Sequence, residues 1–366
     1  MKVPYIDLAR QHKLLKDDLL DAAAAVFDHG QFILGPEVAQ FETAFAAIAG
    51  TKFAIGVDNG TSSLMLLLRA LKIGPGDEVI TAPNSFVASA SSIALVGARP
   101  VFSDVGSDMN LDPALLKKAI TPRTKAIIAV HWTGLPADID AIRSVADPLG
   151  IAVLEDAAQA VGAGYRGKRA GSLARAASFS LHPLKNLNAC GDAGIVTTDD
   201  QTIADYLKLA RNHGLKNRND TAFYSPNCRI DTLQAALLLR KLPHLPAWTE
   251  RRRATAAFYR KELAGLIDLP VVPANTEPVY HTFIIQSDQR DALKAYLAEQ
   301  GIDTAIHYPI PLHLHESAKH LGYKIGDFPV TERQAGRILS LPVYPELTDE
   351  ERGAVVKGIQ AFFKGR

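Results

Sequence analysis

Short β-rich runs alternate with helical patterns through most of this chain, and no other feature restricts its fold as strongly. Segments 53–57, 79–81, 126–130, 151–155 and 194–198 read as strands, and 62–71, 85–96, 113–120 and 139–149 read as helices. In the first helical pattern Leu64, Leu67, Leu68 and Leu71 recur at i, i+3, i+4 and i+7, which predicts a single buried stripe. Such alternation builds βαβ units, hence an α/β fold with a mostly parallel sheet covered by helices on both faces. The pattern changes near Pro243-His244-Leu245-Pro246, where a long helix over 247–263 begins, and the last third carries fewer strands, more proline and a terminal helix from about Asp349. A chain of 366 residues can hold one large core and a smaller satellite, which predicts a large domain over 1–245 and a second over 246–366.

Composition narrows the partners. Forty basic against 39 acidic side chains leave a formal net charge of +1, which argues against nucleic acid or an anionic membrane as the main partner. The basic run Arg251-Arg252-Arg253 reads as a solvated helix face. Two cysteines, Cys190 and Cys228, cannot make a disulfide framework, so a reducing compartment fits. Residues 1–8 lack the apolar core of a secretory signal, and charged residues or proline interrupt every apolar run before it could span a bilayer, so a cytoplasmic protein is expected.

Three short segments carry chemistry. Asp156 closes the apolar run 151–156, and ligands on parallel sheets collect outside the carboxyl ends of the strands. Lys185 follows in Ser178-Phe179-Ser180-Leu181-His182-Pro183-Leu184-Lys185-Asn186. A strand-end acid with a lysine further along suggests a pyridoxal phosphate site, the lysine holding the cofactor as a Schiff base and the acid keeping its ring nitrogen protonated. The turn Asp58-Asn59-Gly60-Thr61-Ser62-Ser63 joins a strand to a helix, and exposed amides at a helix start attract a phosphate. Ser and Thr also cap helices that bind nothing, so this turn alone decides little. Gln159 falls one turn beyond Asp156, Ser180 lies within reach of a phosphate, and Phe86 is an aromatic able to stack on a ring or simply to fill a core.

Taken together, these segments resemble the DegT-like (StrS-like) sugar aminotransferases, pyridoxal phosphate enzymes of fold type I. The resemblance includes Phe32-Ile33-Leu34-Gly35-Pro36-Glu37, Asn59-Gly60-Thr61, Glu155-Asp156-Ala157-Ala158-Gln159, Lys185-Asn186-Leu187, Gly191-Asp192-Ala193-Gly194 and Arg211-Asn212-His213-Gly214. It continues through Asn227-Cys228-Arg229-Ile230-Asp231, His307-Tyr308-Pro309 and Leu339-Ser340-Leu341-Pro342. It implies a seven-stranded, mostly parallel sheet between helices and a smaller C-terminal α+β domain. Lys185 then matches the Schiff-base lysine and Asp156 the partner of the pyridine nitrogen. Gln159 lies by the ring and its phenolic oxygen, Phe86 stacks on the ring, and Gly60, Thr61, Ser62 and Ser180 take the phosphate. Asn227 matches an asparagine reaching the phosphate from a second subunit, which implies a homodimer with shared active sites. Arg229, His307, Tyr308 and His313 are expected on the substrate side, an interface ion pair being the other reading of Arg229.

The activity so implied moves an amino group from L-glutamate to a nucleotide-linked keto-sugar, with pyridoxamine phosphate as the intermediate form of the cofactor. Lys185-Asn186-Leu187 followed by Gly191-Asp192-Ala193-Gly194 resembles members that aminate C3. Amination at C4, a keto-inositol substrate, a pyridoxamine-dependent sugar dehydratase and a non-catalytic regulator are the alternatives. Dehydratases of the family commonly replace the lysine with histidine, and Lys185 is present. The sequence departs from the family pattern at Ser62-Ser63, Leu181-His182, Cys228 and Trp132, which bears on the shape of the sugar pocket. His313-Leu314-His315-Glu316, with His307 and His320, has the residue types of a metal site, but no further acid or cysteine cluster completes it, so no metal is expected.

Overall fold

The computed structural model describes residues 1–364; residues 365 and 366, the end of the second expected domain, lie outside the described residues. Seven strands form the central sheet: β1 (Phe53–Val57), β2 (Glu78–Thr81), β3 (Arg99–Phe102), β4 (Thr124–Val130), β5 (Ala152–Asp156), β6 (Ala176–Ser180) and β7 (Gly194–Thr198). Their spatial order is β1-β7-β6-β5-β4-β2-β3. β3, β2, β4, β5 and β6 pair in parallel, while β7 runs antiparallel between β6 and β1.

Two of these strands carry weak sequence signals. β3 reads Arg-Pro-Val-Phe, and its proline cannot donate to a ladder; the strand survives because it is the sheet's edge. β6 reads Ala-Ala-Ser-Phe-Ser, mostly small residues without β-branching, yet it lies in the middle of the sheet. Side-chain alternation in β6 and β7 divides the core. Ala177, Phe179 and Ile195 face a cluster with Phe41 and Phe45, whereas Ala176 and Val196 face Leu64, Leu67 and Ile203 on the other side.

Helices α1 (Leu8–His29), α2 (Pro36–Ala49), α3 (Gly60–Ala70), α4 (Val87–Leu95), α5 (Pro113–Ala119), α6 (Ile139–Ala146), α7 (Gln201–Ala210) and α8 (Thr232–Lys241) surround the sheet. In α3 the stripe holds at Leu64, Leu67 and Leu68, but Leu71 is only half-buried and Leu66 is fully buried. The burial is broader than one stripe because α4 and α7 flank the helix while β6 and β7 lie beneath it.

The last third builds a second apolar cluster. α9 (Leu245–Glu262), α10 (Arg290–Glu299) and α12 (Asp349–Lys364) pack on the antiparallel pair β8 (Phe283–Gln286) and β9 (Ile338–Leu341), with the short α11 (Pro329–Ala335) before β9. Tyr259, Phe283, Leu297, Leu339 and Ile359 fill this cluster, and Val3 from the amino terminus joins them. The Val3 amide donates to the Gly301 carbonyl at 2.8 Å, so the first residues run along the C-terminal part of the molecule. In α9 the run of three arginines divides. Arg251 is exposed, but Arg252 is only 4% exposed and continues the buried face that includes Trp248, Thr255 and Tyr259. A fully solvated face is therefore the wrong reading; extending the helical period from Trp248 reaches Arg252. No helix among the described residues is long and apolar enough to cross a membrane.

Candidate active site

A cavity of about 660 Å³ opens at the carboxyl ends of the parallel strands and is walled on its other side by the C-terminal part. Gly60, Thr61, Ser62, Phe86, Asp156, Gln159, Ser180, Lys185, His307 and Tyr308 all line it.

Asp156 ends β5 and is 5% exposed. Its Oδ2 accepts from the Ser89 hydroxyl at 2.6 Å and its Oδ1 from the Ala158 amide at 3.2 Å. Ser89 is itself within 2.7 Å of Ser85 Oγ, so a hydroxyl pair on and just before α4 steadies the acid. Behind it, the buried Glu155 accepts from the Gly171, Leu173 and Ala174 amides and from His131 Nε2. His131 Nδ1 accepts from the Ala137 amide, so the ring hydrogen sits on Nε2, facing the carboxylate.

Lys185 lies in the loop after β6, which closes on itself through the Leu181 amide to Ala193 O at 2.8 Å and the Ala189 amide to Leu181 O at 2.7 Å. Burial pushes its ammonium down to about 8, opposed by the negative charge of Asp156. A weakly basic amine and an acid thus share one partly desolvated space. His281, unremarked in the sequence, also lines the cavity, held by Asn186 Oδ1 at 3.2 Å from its Nδ1. Burial first, then the charges of Lys185 and Arg252, hold His281 well below its usual value. His307 is lowered to about 4 by burial and then by Lys185, and its Nδ1 lies 2.9 Å from Ser340 Oγ. Both rings are neutral near pH 7. Tyr308 is raised to about 12 by burial and then by Asp156. Its ring centroid lies 5.6 Å from that of Phe86 and 5.6 Å from that of Trp132.

Elsewhere in the lining, Asn59 caps α3 by accepting the Ser62 amide at 2.8 Å. The earliest amides of a helix have no intrahelical acceptor, so those of Gly60 and Thr61 are the ones at hand for an anion. Gly60 has no room for a side chain, since a Cβ there would meet Ser180 Cβ at 2.9 Å. The approach brings the helix start against the end of β6, with Ser180 beside it. Gln159 accepts the Thr133 amide at 2.7 Å through Oε1, which leaves its amide NH2 for the cavity. A buried acid, a depressed lysine, an amide donor and a helix start, all lining one cavity, suit the parts of pyridoxal phosphate: ring nitrogen, aldehyde, phenolic oxygen and phosphate.

The structure does not bring every expected residue here. Asn227 is exposed and Arg229 is bound to Asn212 Oδ1 at 2.8 Å; neither lines the cavity of this chain. His313 is a correction to the expected substrate wall. It sits on a tight turn, Leu312–Leu314, and is 2% exposed, with its ring 4.7 Å from that of Phe328 and Nε2 3.1 Å from Glu332 Oε1. The histidine-rich segment is dispersed, and among the described residues no group of three or more His, Cys, Asp and Glu side chains is placed to hold a metal ion. Sequence reasoning missed Tyr5, Ser85, Ser89, Arg252 and His281. Only Arg252 lay within a readable period; the others are single polar residues outside any motif.

With this geometry in hand, similarity to known proteins is informative. Residues 13–360 match the model of the DegT/DnrJ/EryC1/StrS aminotransferase family. The chain belongs to that family. It is 43% identical, over 100% of its length and 99% of the relative's, to a "pleiotropic regulatory protein" of Geobacillus stearothermophilus. It is 42% identical to the dTDP-3-amino-3,4,6-trideoxy-alpha-D-glucose transaminase of Streptomyces venezuelae, over 98% of this chain and 96% of that one. Among solved structures, S. venezuelae DesV in complex with a ketimine intermediate superposes with a TM-score of 0.97 at 42% identity, covering 99% of both chains.

Proposed function

We propose that this family member is a pyridoxal phosphate-dependent aminotransferase that moves an amino group from L-glutamate to a nucleotide-linked keto-sugar, with the keto group at C3. The observation that carries the reading is the pairing of Lys185 and Asp156 in one cavity that the α3 start also lines. When bound, the cofactor supplies an electron-withdrawing ring that accepts the electrons of a bond at the donor's Cα. The residues do the rest. Asp156, held by Ser89 and the Ala158 amide, keeps a proton on the ring nitrogen. Lys185 Nζ, with its lowered basicity, would hold the cofactor and, once released, would take the proton from the donor's Cα. Gln159 would donate its amide hydrogen to the phenolic oxygen, the Gly60 and Thr61 amides and the Ser62 and Ser180 hydroxyls would hold the phosphate, and Phe86 would stack on the ring. His307 and Tyr308 stand on the sugar side.

A division at 245/246 into a cofactor-holding part and a smaller part that closes the cavity belongs to this proposal, as does a cytoplasmic homodimer in which Asn227 and Arg229 serve the partner's site. A non-catalytic regulator would leave the Lys185–Asp156 pairing without a role. The test is two half-reactions on the reconstituted protein. L-Glutamate should bleach the visible absorbance and release one equivalent of 2-oxoglutarate, and a 3-keto nucleotide sugar should restore it with formation of an aminosugar. Restoration by 4-keto sugars alone would move the site of amination, and absence of 2-oxoglutarate would remove the aminotransferase reading. Lys185→Ala should abolish both steps.

A further inference from the structure

The cavity that Lys185 lines also holds a guanidinium that neither the sequence motifs nor the proposed chemistry uses. Arg252 rises from α9 into the cavity lining and is 4% exposed. Its Nη1 donates to the carbonyls of Tyr280, His281 and Val343 at 3.2, 3.4 and 3.4 Å. Its Nε is buried with no acceptor, and among the described residues it forms no ion pair. Burial lowers its pKa to about 10, with Glu346 and Tyr5 opposing only in part. A buried guanidinium with an unsatisfied donor is costly unless an anion completes it. Three neutral carbonyls hold one corner in place and leave the rest of a planar donor set, whose natural complement is a carboxylate.

We infer that Arg252 is the anchor for a carboxylate of the dicarboxylate amino donor. The inference rests on the aminotransferase reading and adds the group that recognises the donor. Placement favours a small carboxylate over the nucleotide's diphosphate. The α3 start offers its own amides to a phosphate, and a guanidinium only 4% exposed suits a small carboxylate better than a diphosphate bearing a nucleoside. Arg252 is also near the reacting amine: its carbonyl partner His281 feels the charge of both Arg252 and Lys185. A carboxylate lodged on Arg252 neutralises the guanidinium while the donor's amino group approaches the place Lys185 vacates. His281 and His307, being neutral, add no competing charge.

The experiment uses the holoenzyme, R252Q and R252K, with glutarate as an unreactive dicarboxylate probe. Glutarate should bind wild type by calorimetry. In R252Q its Kd, and the concentration of L-glutamate that half-saturates the donor half-reaction, should rise about 10- to 100-fold, the weight of one hydrogen-bonded charge pair. R252K should recover part of this loss. Amination of the keto-sugar by the amine-loaded form should change less than about threefold. Equal loss in both half-reactions, or unchanged glutarate binding in R252Q, would overturn the inference. Should both variants fail to fold, wild-type crystals soaked in glutarate decide. A carboxylate on the Arg252 guanidinium supports the assignment, and one bound elsewhere defeats it. Wild type that binds glutarate at Arg252 but releases no 2-oxoglutarate from glutamate would instead sink the aminotransferase reading alone.

Discussion

The depressed basicity of Lys185 gives the sharpest quantitative expectation. An amine attacks a carbonyl only when neutral. With a pKa of about 8 in place of the ordinary lysine value of 10.5, roughly one-tenth of Lys185 is neutral at pH 7, about 300-fold more than for an unperturbed lysine. The cause is desolvation by burial, partly offset by Asp156, whose negative charge favours the ammonium. Asp156→Asn removes that charge and must therefore lower the Lys185 pKa further; a change that raised it would contradict the electrostatics. Competitive trace acetylation of the apoprotein with acetic anhydride, against an added model lysine, reads the titration peptide by peptide. Labelling of the Lys185 peptide should climb with pH through a midpoint near 8, and in the Asp156→Asn protein that midpoint should be lower. A midpoint at 10 or above in the wild type, or an upward shift in the variant, would refute the reasoning.

Other residues make further expectations. Gly60→Ala places a Cβ 2.9 Å from Ser180 Cβ and 3.3 Å from Ser180 Cα, so α3 must move off β6; pyridoxal phosphate should titrate about tenfold more weakly, by absorbance, with the melting temperature falling a few degrees. Ser89→Ala takes away the 2.6 Å donor to Asp156 Oδ2 and should slow both half-reactions about tenfold in stopped flow, the effect of about 1.5 kcal/mol from a hydrogen bond to a charged group. His307, at about 4 when folded against an ordinary histidine value of 6.5, binds fewer protons in the folded state between those limits. Its contribution to stability is therefore present above about 6.5 and lost as pH falls toward 4, and His307→Gln should flatten part of that slope in a series of melting curves.

Much of the architecture was legible because it rests on repeating apolar patterns. β1 and β7 fall on the segments read as strands, and β2, β4 and β5 differ only at their ends. β3 and β6 escaped for a physical reason. Edge position excuses a proline, and central burial lets alanine and serine form a strand that their intrinsic preference does not announce. The cofactor end of the site was readable because its parts sit at or just beyond strand ends, where Gly60, Asp156 and Lys185 fall within short recognisable runs. The facing wall was not. Tyr5, Arg252 and His281 come from three distant segments that meet only when the C-terminal cluster packs with Val3 and the amino-terminal residues. His313 was misplaced because adjacency in sequence to His307 says nothing about the tight turn that sends its ring toward Phe328 and Glu332.

The account stands on one covalent attachment. Borohydride reduction of the protein reconstituted with pyridoxal phosphate, followed by peptide mass spectrometry, locates it directly. The modification should fall on the peptide containing Lys185 and disappear in Lys185→Ala. A pyridoxyl group fixed to a different lysine, or none retained after reduction, would contradict the site as assigned.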